Sequence, residues 1–275
     1  MKKILVPIDF SKKSEFATKV ASKLAKKGNA VVHLLHMIEL PTGVTDMGTS
    51  SNFSIPEVML FLRKTKERIL EFKAQFFEED FEVQHSIRFQ NPYEGILKYA
   101  DKIEADLIVM GSKGHSDFEE IMIGSNTEKV VRSSTIPVLV VKKDVAKFTL
   151  KNIVFASNFK DDNKIVFDKF LKFAKLFDSK VHLLKVNTPS NFETTRDAKK
   201  QIQNFIKEFT LPKHSITVYS DTSIENGIIH FARDKKADVI ALSTHGRSGL
   251  SHLFSGSVTK NLSKSALKPM LTFKI

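Results

Sequence analysis

Gly111, Gly114 and Gly124 frame the stretch MGSKGHSDFEEIMIGSNTEK at residues 110–129, with Ser125 and Asn126 directly after the third glycine. Backbone amides approach a phosphate closely only where no Cβ intervenes, and glycine tolerates the positive φ angles that turn several N–H groups inward. Gly124-Ser125 precedes a helical pattern over 126–133. Free N–H groups, the positive end of the helix dipole and the Ser125 hydroxyl can therefore meet one anion. Asp9, just after the first apolar run, offers an acceptor for ribose hydroxyls at the other end. Each residue also has a plainer reading: the glycines as turn punctuation, Ser125 as a helix cap, Asp9 as a loop acid or an N-cap. Their joint placement is less generic than any one of them.

Hydrolysis or phosphoryl transfer needs positioned charge and a group that orients the nucleophile. Lys113 and His115 lie in the glycine loop, but neither is paired in sequence with an acid, and no Gly-x4-Gly-Lys-Ser/Thr motif is present. No catalytic residue is expected. Nor is a metal site: His33 and His36, three apart on a predicted strand, point to opposite faces, and His245 with His252 lacks a HExxH pattern. No Gly-x-Ser-x-Gly elbow follows a strand. The chain has no cysteine, which excludes disulfides, thiolate metal sites and cysteine nucleophiles.

The 43 Lys and Arg against 31 Asp and Glu give a formal net charge of +12, which favours polyanions at low salt. The lysines are scattered, however, in short groups such as Lys12-Lys13, Lys26-Lys27, Lys142-Lys143 and Lys199-Lys200. Without a nucleic-acid motif, specific nucleic-acid binding is not expected. No run approaches the roughly 18 apolar residues of a membrane span. The opening MKKILVPIDF lacks a signal peptide's pattern, so a cytoplasmic location and no membrane partner are expected.

The elements that position the glycines are written twice. Val32-His33-Leu34-Leu35 recurs as Val181-His182-Leu183-Leu184 at an offset of 149, whereas EADLIVMGSKGHS at 104–116 matches KADVIALSTHGRS at 236–248 at an offset of 132, a difference of 17. The boundary falls near residues 144–150, giving domains 1–144 and 151–275. In the first, apolar runs at 3–8, 31–37, 82–88, 106–110 and 137–141 read as strands. Helical patterns separate them: Phe16, Val20 and Leu24 after Ser11, then Val58 to Phe77 and Tyr93 to Lys102. This alternation predicts an α/β fold of two tandem doubly wound, Rossmann-like domains, each with a five-stranded parallel sheet. Such sheets bind ligands beyond the carboxyl ends of strands where strand order reverses, which selects Asp9 and the Gly111–Gly114 loop. The 17 extra residues of the first half are expected around PTGVTDMGTSSNFSIPE at 41–57, as a lid or as a surface loop without ligand contact.

The Gly-x2-Gly-x9-Gly-Ser spacing of Gly111, Gly114, Gly124 and Ser125, together with ILVPIDFS at the start, resembles the ATP-binding universal stress proteins. The resemblance covers essentially the whole chain as two tandem copies. It implies that ATP, with or without magnesium, is held at the switch point, with Asp9 near the adenosine and Met37 bordering the base. Pro7 and Met110 would complete the strand ends, and amides around Gly111, Gly114, Gly124, Ser125 and Asn126 would receive the phosphates. The second copy departs from the pattern, since Asn158 stands in place of Asp9 and Ser243 in place of Gly111, although Gly246, Gly256 and Ser257 remain. Its site is expected to be weak or empty. The resemblance further implies a stress-response signalling or binding module with an unknown protein partner; slow ATP hydrolysis, autophosphorylation and a nucleotide-independent scaffold are the alternatives. The last strands, IPVLVVKK and KPMLTFKI, are expected to pair the domains within one chain, and self-association into a homodimer stays open.

Overall fold

The computed structural model describes residues 1–39, 55–112, 124–145, 148–244 and 268–275. In the first half β1 (Lys3–Ile8), α1 (Lys12–Gly28), β2 (Val31–Ile38), α2 (Ile55–Phe76), β3 (Val83–Phe89), α3 (Pro92–Lys102), β4 (Leu107–Gly111), α4 (Ser125–Ser133) and β5 (Val138–Val141) follow one another. The second half repeats the plan with β6 (Asn152–Ala156), a 3-10 turn (Asp161–Asn163), α5 (Lys164–Leu176), β7 (Lys180–Asn187), α6 (Thr195–Ile206), β8 (His214–Ser220), α7 (Ile224–Asp234), β9 (Val239–Thr244) and β10 (Met270–Lys274).

The ten strands among the described residues form one sheet in the order β3-β2-β1-β4-β5-β10-β9-β6-β7-β8. Within each half the strands are parallel, and order reverses between β1 and β4 and between β6 and β9. The last strands of the halves, β5 and β10, pair antiparallel with Val140 opposite Met270 and Val138 opposite Thr272. Two five-stranded parallel sheets thus continue into one mixed sheet, and each half's last strand is covered by the other.

Alternation along the strands sends side chains to two cores. Ile4, Val6 and Ile8 join Val20 and Leu24 of α1, Phe72 of α2 and the second half's Phe155, Phe167 and Phe170. Leu5 and Leu35 face the other side with Ile96 of α3, Val130 of α4 and Phe231 of α7. Each face is apolar through both halves, so the central strands are buried on both sides and read as continuous apolar runs.

The repeat extends to backbone conformation. The non-glycine residues with positive φ among those described fall into matching pairs: Phe10 (62°) with Phe159 (53°), Asn29 (48°) with Asp178 (51°), and Glu104 (51°) with Lys236 (48°). Such angles are unfavourable for side chains other than Asn or Asp, so their recurrence reflects turns the fold requires in both copies. The extra length of the first half is not confined to 41–57. Much of it is helix, because α2 has 22 residues where α6 has 12.

Candidate functional site

The first-half crevice opens at the carboxyl ends of β1 and β4, and its cause lies partly in Pro7. A proline has no N–H to give a neighbouring strand, and the β1–β4 register runs only through Ile4↔Leu107 and Leu5↔Ile108. In the second half Ala156 occupies the matching position. There the β6–β9 register continues to Phe155↔Ala241 and Ala156↔Leu242. The switch point is splayed in the first half and zipped further in the second.

A cavity of about 360 Å³ fills the splayed region, lined by Pro7, Asp9, Met37, Met110, Gly111, Gly124, Ser125 and Asn126, and also by Ser11, Lys13, Ser14, Leu35, Pro92, Ile96 and Thr127. Eight of the nine residues singled out in sequence therefore meet in one space. The ninth, Gly114, lies outside the described residues, as do Lys113, His115 and most of the 41–57 stretch. The size falls in the range of small-molecule sites.

Asp9 is held by the loop it starts. Its Oδ1 accepts from the Ser11 N–H at 3.1 Å and from the Ser11 hydroxyl at 2.6 Å. Ser11 in turn caps α1, its side chain accepting from the Ser14 N–H. Among the described residues Oδ2 has no partner, so one carboxylate oxygen is structural and the other is available to the crevice. Phe10, at its positive φ, turns the chain between them. Its ring packs 4.8 Å from His36 and lies 4.2 Å from the Arg68 guanidinium. His36 Nδ1 donates to the Ile8 carbonyl at 2.9 Å. Burial pushes the His36 pKa down, keeping the ring neutral beneath the site.

Opposite Asp9, α4 starts at Ser125 behind Gly124, with no side chain capping it. The Gly124 N–H is used by the Ser112 carbonyl, while the N–H groups of Ser125, Asn126 and Thr127 have no intrahelical acceptor. Ser125 is thus the first helical residue and not the cap. Thr127 ties this turn to β4, its Oγ1 donating to the Gly111 carbonyl at 2.9 Å. Uncapped N–H groups at a helix start form a ready anion receptor.

Gly111 has a packing reason to be glycine beside the one its spacing suggests. A Cβ there would stand 2.7 Å from the carbonyl carbon and oxygen of Lys13. Its bare Cα lets the first turn of α1 close over β4, while the residue also lines the crevice. In the second copy, where Ser243 stands at the matching position, the turn at Asp161–Asn163 is a 3-10 turn and α5 begins only at Lys164. Gly95 on α3 is another such position, facing the thioether of Met37, and its counterpart Gly227 faces Val186.

A model of the universal stress protein family matches residues 1–142 and again 149–274. The chain belongs to the universal stress protein family. Universal stress protein MJ0577 of Methanocaldococcus jannaschii is 33% identical over 154 residues, covering 52% of this chain and 95% of that protein. Universal stress protein Slr1230 of Synechocystis is 23% identical with 100% of both chains covered. The crystal structure of a universal stress protein from Archaeoglobus fulgidus superposes with a TM-score of 0.74 at 20% identity, covering 99% of this chain and 98% of that one, and shares the tandem fold. Like MJ0577, several universal stress proteins correspond to about half of the chain.

Sequence reasoning missed Lys13, Thr127 and Gly95. Thr127 was findable as a polar residue in the first turn of α4; Lys13 and Gly95 enter through tertiary proximity alone. No group of three or more His, Asp or Glu suited to a metal occurs among the described residues. No described helix is long and apolar enough to cross a membrane.

Proposed function

We propose that the first half binds an adenine nucleotide, ATP with or without magnesium, and that the chain works as a stress-response signalling or binding module. The observation that carries this reading is the convergence of Asp9, Met37 and the uncapped turn Ser125–Thr127 on one crevice at the β1–β4 switch point. Leu35, Met37 and Ile96 offer an apolar wall suited to a base, Asp9 Oδ2 an acceptor suited to ribose hydroxyls, and the α4 amides a receptor suited to phosphates. The second half is a structural partner: Asn158 and Ser243 replace Asp9 and Gly111, and its switch point is zipped to Ala156↔Leu242. Asn158 Oδ1 already accepts from the Lys160 N–H at 3.1 Å and from Asn163 Nδ2 at 3.0 Å.

Thermal unfolding with ATP, ADP and AMP, beside a phosphate-release assay, tests this. A raised midpoint without phosphate release supports the binding module. Sustained release would make the chain a slow enzyme. No shift with any of the three would leave a nucleotide-independent scaffold.

A further inference from the structure

Among the described residues that line the crevice, Asp9 is the single anionic side chain and Lys13 the single cationic one. Lys13 sits in the first turn of α1, directly over Gly111. Its Nζ donates to the carbonyl of Lys142 at 3.1 Å, so the side chain reaches across the end of β4 to the residue following β5. No carboxylate among the described residues pairs with it. An ammonium carries three donors, and a neutral carbonyl is a weaker partner than a phosphate oxygen.

The second copy supplies the contrast. At the position matching Lys13 stands Asp162, a carboxylate, in a loop whose preceding turn keeps the same backbone form at Phe159. The two copies share the turn at Phe10 and Phe159 but differ after it: Lys13 lies in the first turn of α1 and Asp162 in a 3-10 turn, with the opposite charge.

We propose that Lys13 determines the specificity of the first-half crevice for anionic ligands. It leaves the Lys142 carbonyl to meet the phosphate-bearing end of the ligand, and the second half lacks a cation at the matching position, Asp162. The inference rests on the nucleotide reading above and deepens it. The exchange reaches the seam between the halves, because β5, which ends one residue before Lys142, is the strand that β10 seals.

The test titrates the full chain, wild type and the Lys13→Met and Lys13→Arg variants, with ATP and with adenosine at low and high salt. Lys13→Met should weaken ATP about ten- to a hundredfold, the range for a hydrogen bond to a charged group, and should flatten its salt dependence. Adenosine affinity should be unchanged, and Lys13→Arg should keep most of the ATP affinity. ATP binding by Lys13→Met as tight as wild type overturns the inference and leaves the nucleotide reading standing. Equal losses for ATP and adenosine also overturn it, by assigning Lys13 a purely structural role. A wild type that binds neither ligand removes both.

Discussion

Gly111 and Lys13 are in backbone contact: a Cβ built on the glycine would lie 2.9 Å from the Lys13 Cβ and closer still to its carbonyl. Substitution at Gly111 is therefore a folding perturbation before it is a binding one. Gly111→Val should lower stability by about 1–3 kcal/mol, as overpacking of a tight contact does, measured by urea unfolding without nucleotide. Unchanged stability would mean that α1 yields freely at its first turn.

Gly95 and Gly227 should respond differently to alanine, although they occupy matching positions. A Cβ at Gly95 meets the flexible end of Met37, whereas one at Gly227 meets the branched Val186 at 2.5 Å. Gly95→Ala should leave stability within about 1 kcal/mol, since helix propensity gains a similar amount, but should push the Met37 thioether and weaken nucleotide binding. Gly227→Ala should cost stability and leave binding alone. Unfolding and titration of both variants separate the two outcomes.

Burial lowers the pKa of His33 and of its counterpart His182. A histidine lowered in the folded state binds fewer protons there than in the unfolded chain. Its contribution is intact above the unfolded value near 6.5. It is lost as pH falls from there through the folded pKa. His182 has partners in Ser215 at 2.8 Å and Asn152 at 3.2 Å, while His33 Nδ1 is buried without one. His33→Phe should accordingly flatten the loss of stability between neutral and mildly acidic pH at little cost at pH 7.5 and above. An identical pH profile in the variant would contradict this.

Burial also pulls Lys142 down from 10.5 to about 8. The unfolded state then binds more protons between those values, so stability should rise with pH across that window. Below about 8 the full desolvation cost of the charged form applies. Lys142→Met should remove this alkaline rise, read from urea unfolding at a series of pH values. A rise that persists in the variant would belong to another group.

The doubly wound plan was legible because the two copies state it twice, and apolar runs at 3–8 and 137–141 match β1 and β5 closely. Asp9, Gly124, Ser125 and Asn126 were legible from spacing, since strand ends and a helix start are local features. What stayed hidden depends on contacts between elements. Lys13 reaches the carbonyl of Lys142, and Gly111 lies against the first turn of α1, both contacts that no spacing announces. The effect of Pro7 shows only when the β1–β4 register is compared with that of Ala156. The long first-half helix was itself legible, since the pattern over 58–77 nearly matches α2 at Ile55–Phe76; what went unread is that α6 is ten residues shorter, so that the extra length is shared between helix and connection.

The central claim is one nucleotide site per chain, in the first half, and calorimetric titration of nucleotide-free protein with ATP tests it most directly. The informative variant is Asp9→Asn, which installs the second half's residue and keeps the Oδ1 acceptor for Ser11. Wild type should bind one equivalent, and Asp9→Asn should fold normally and bind about tenfold more weakly or beyond, as loss of a charged acceptor predicts. Two equivalent sites per chain, or one site indifferent to Asp9→Asn, would contradict the account.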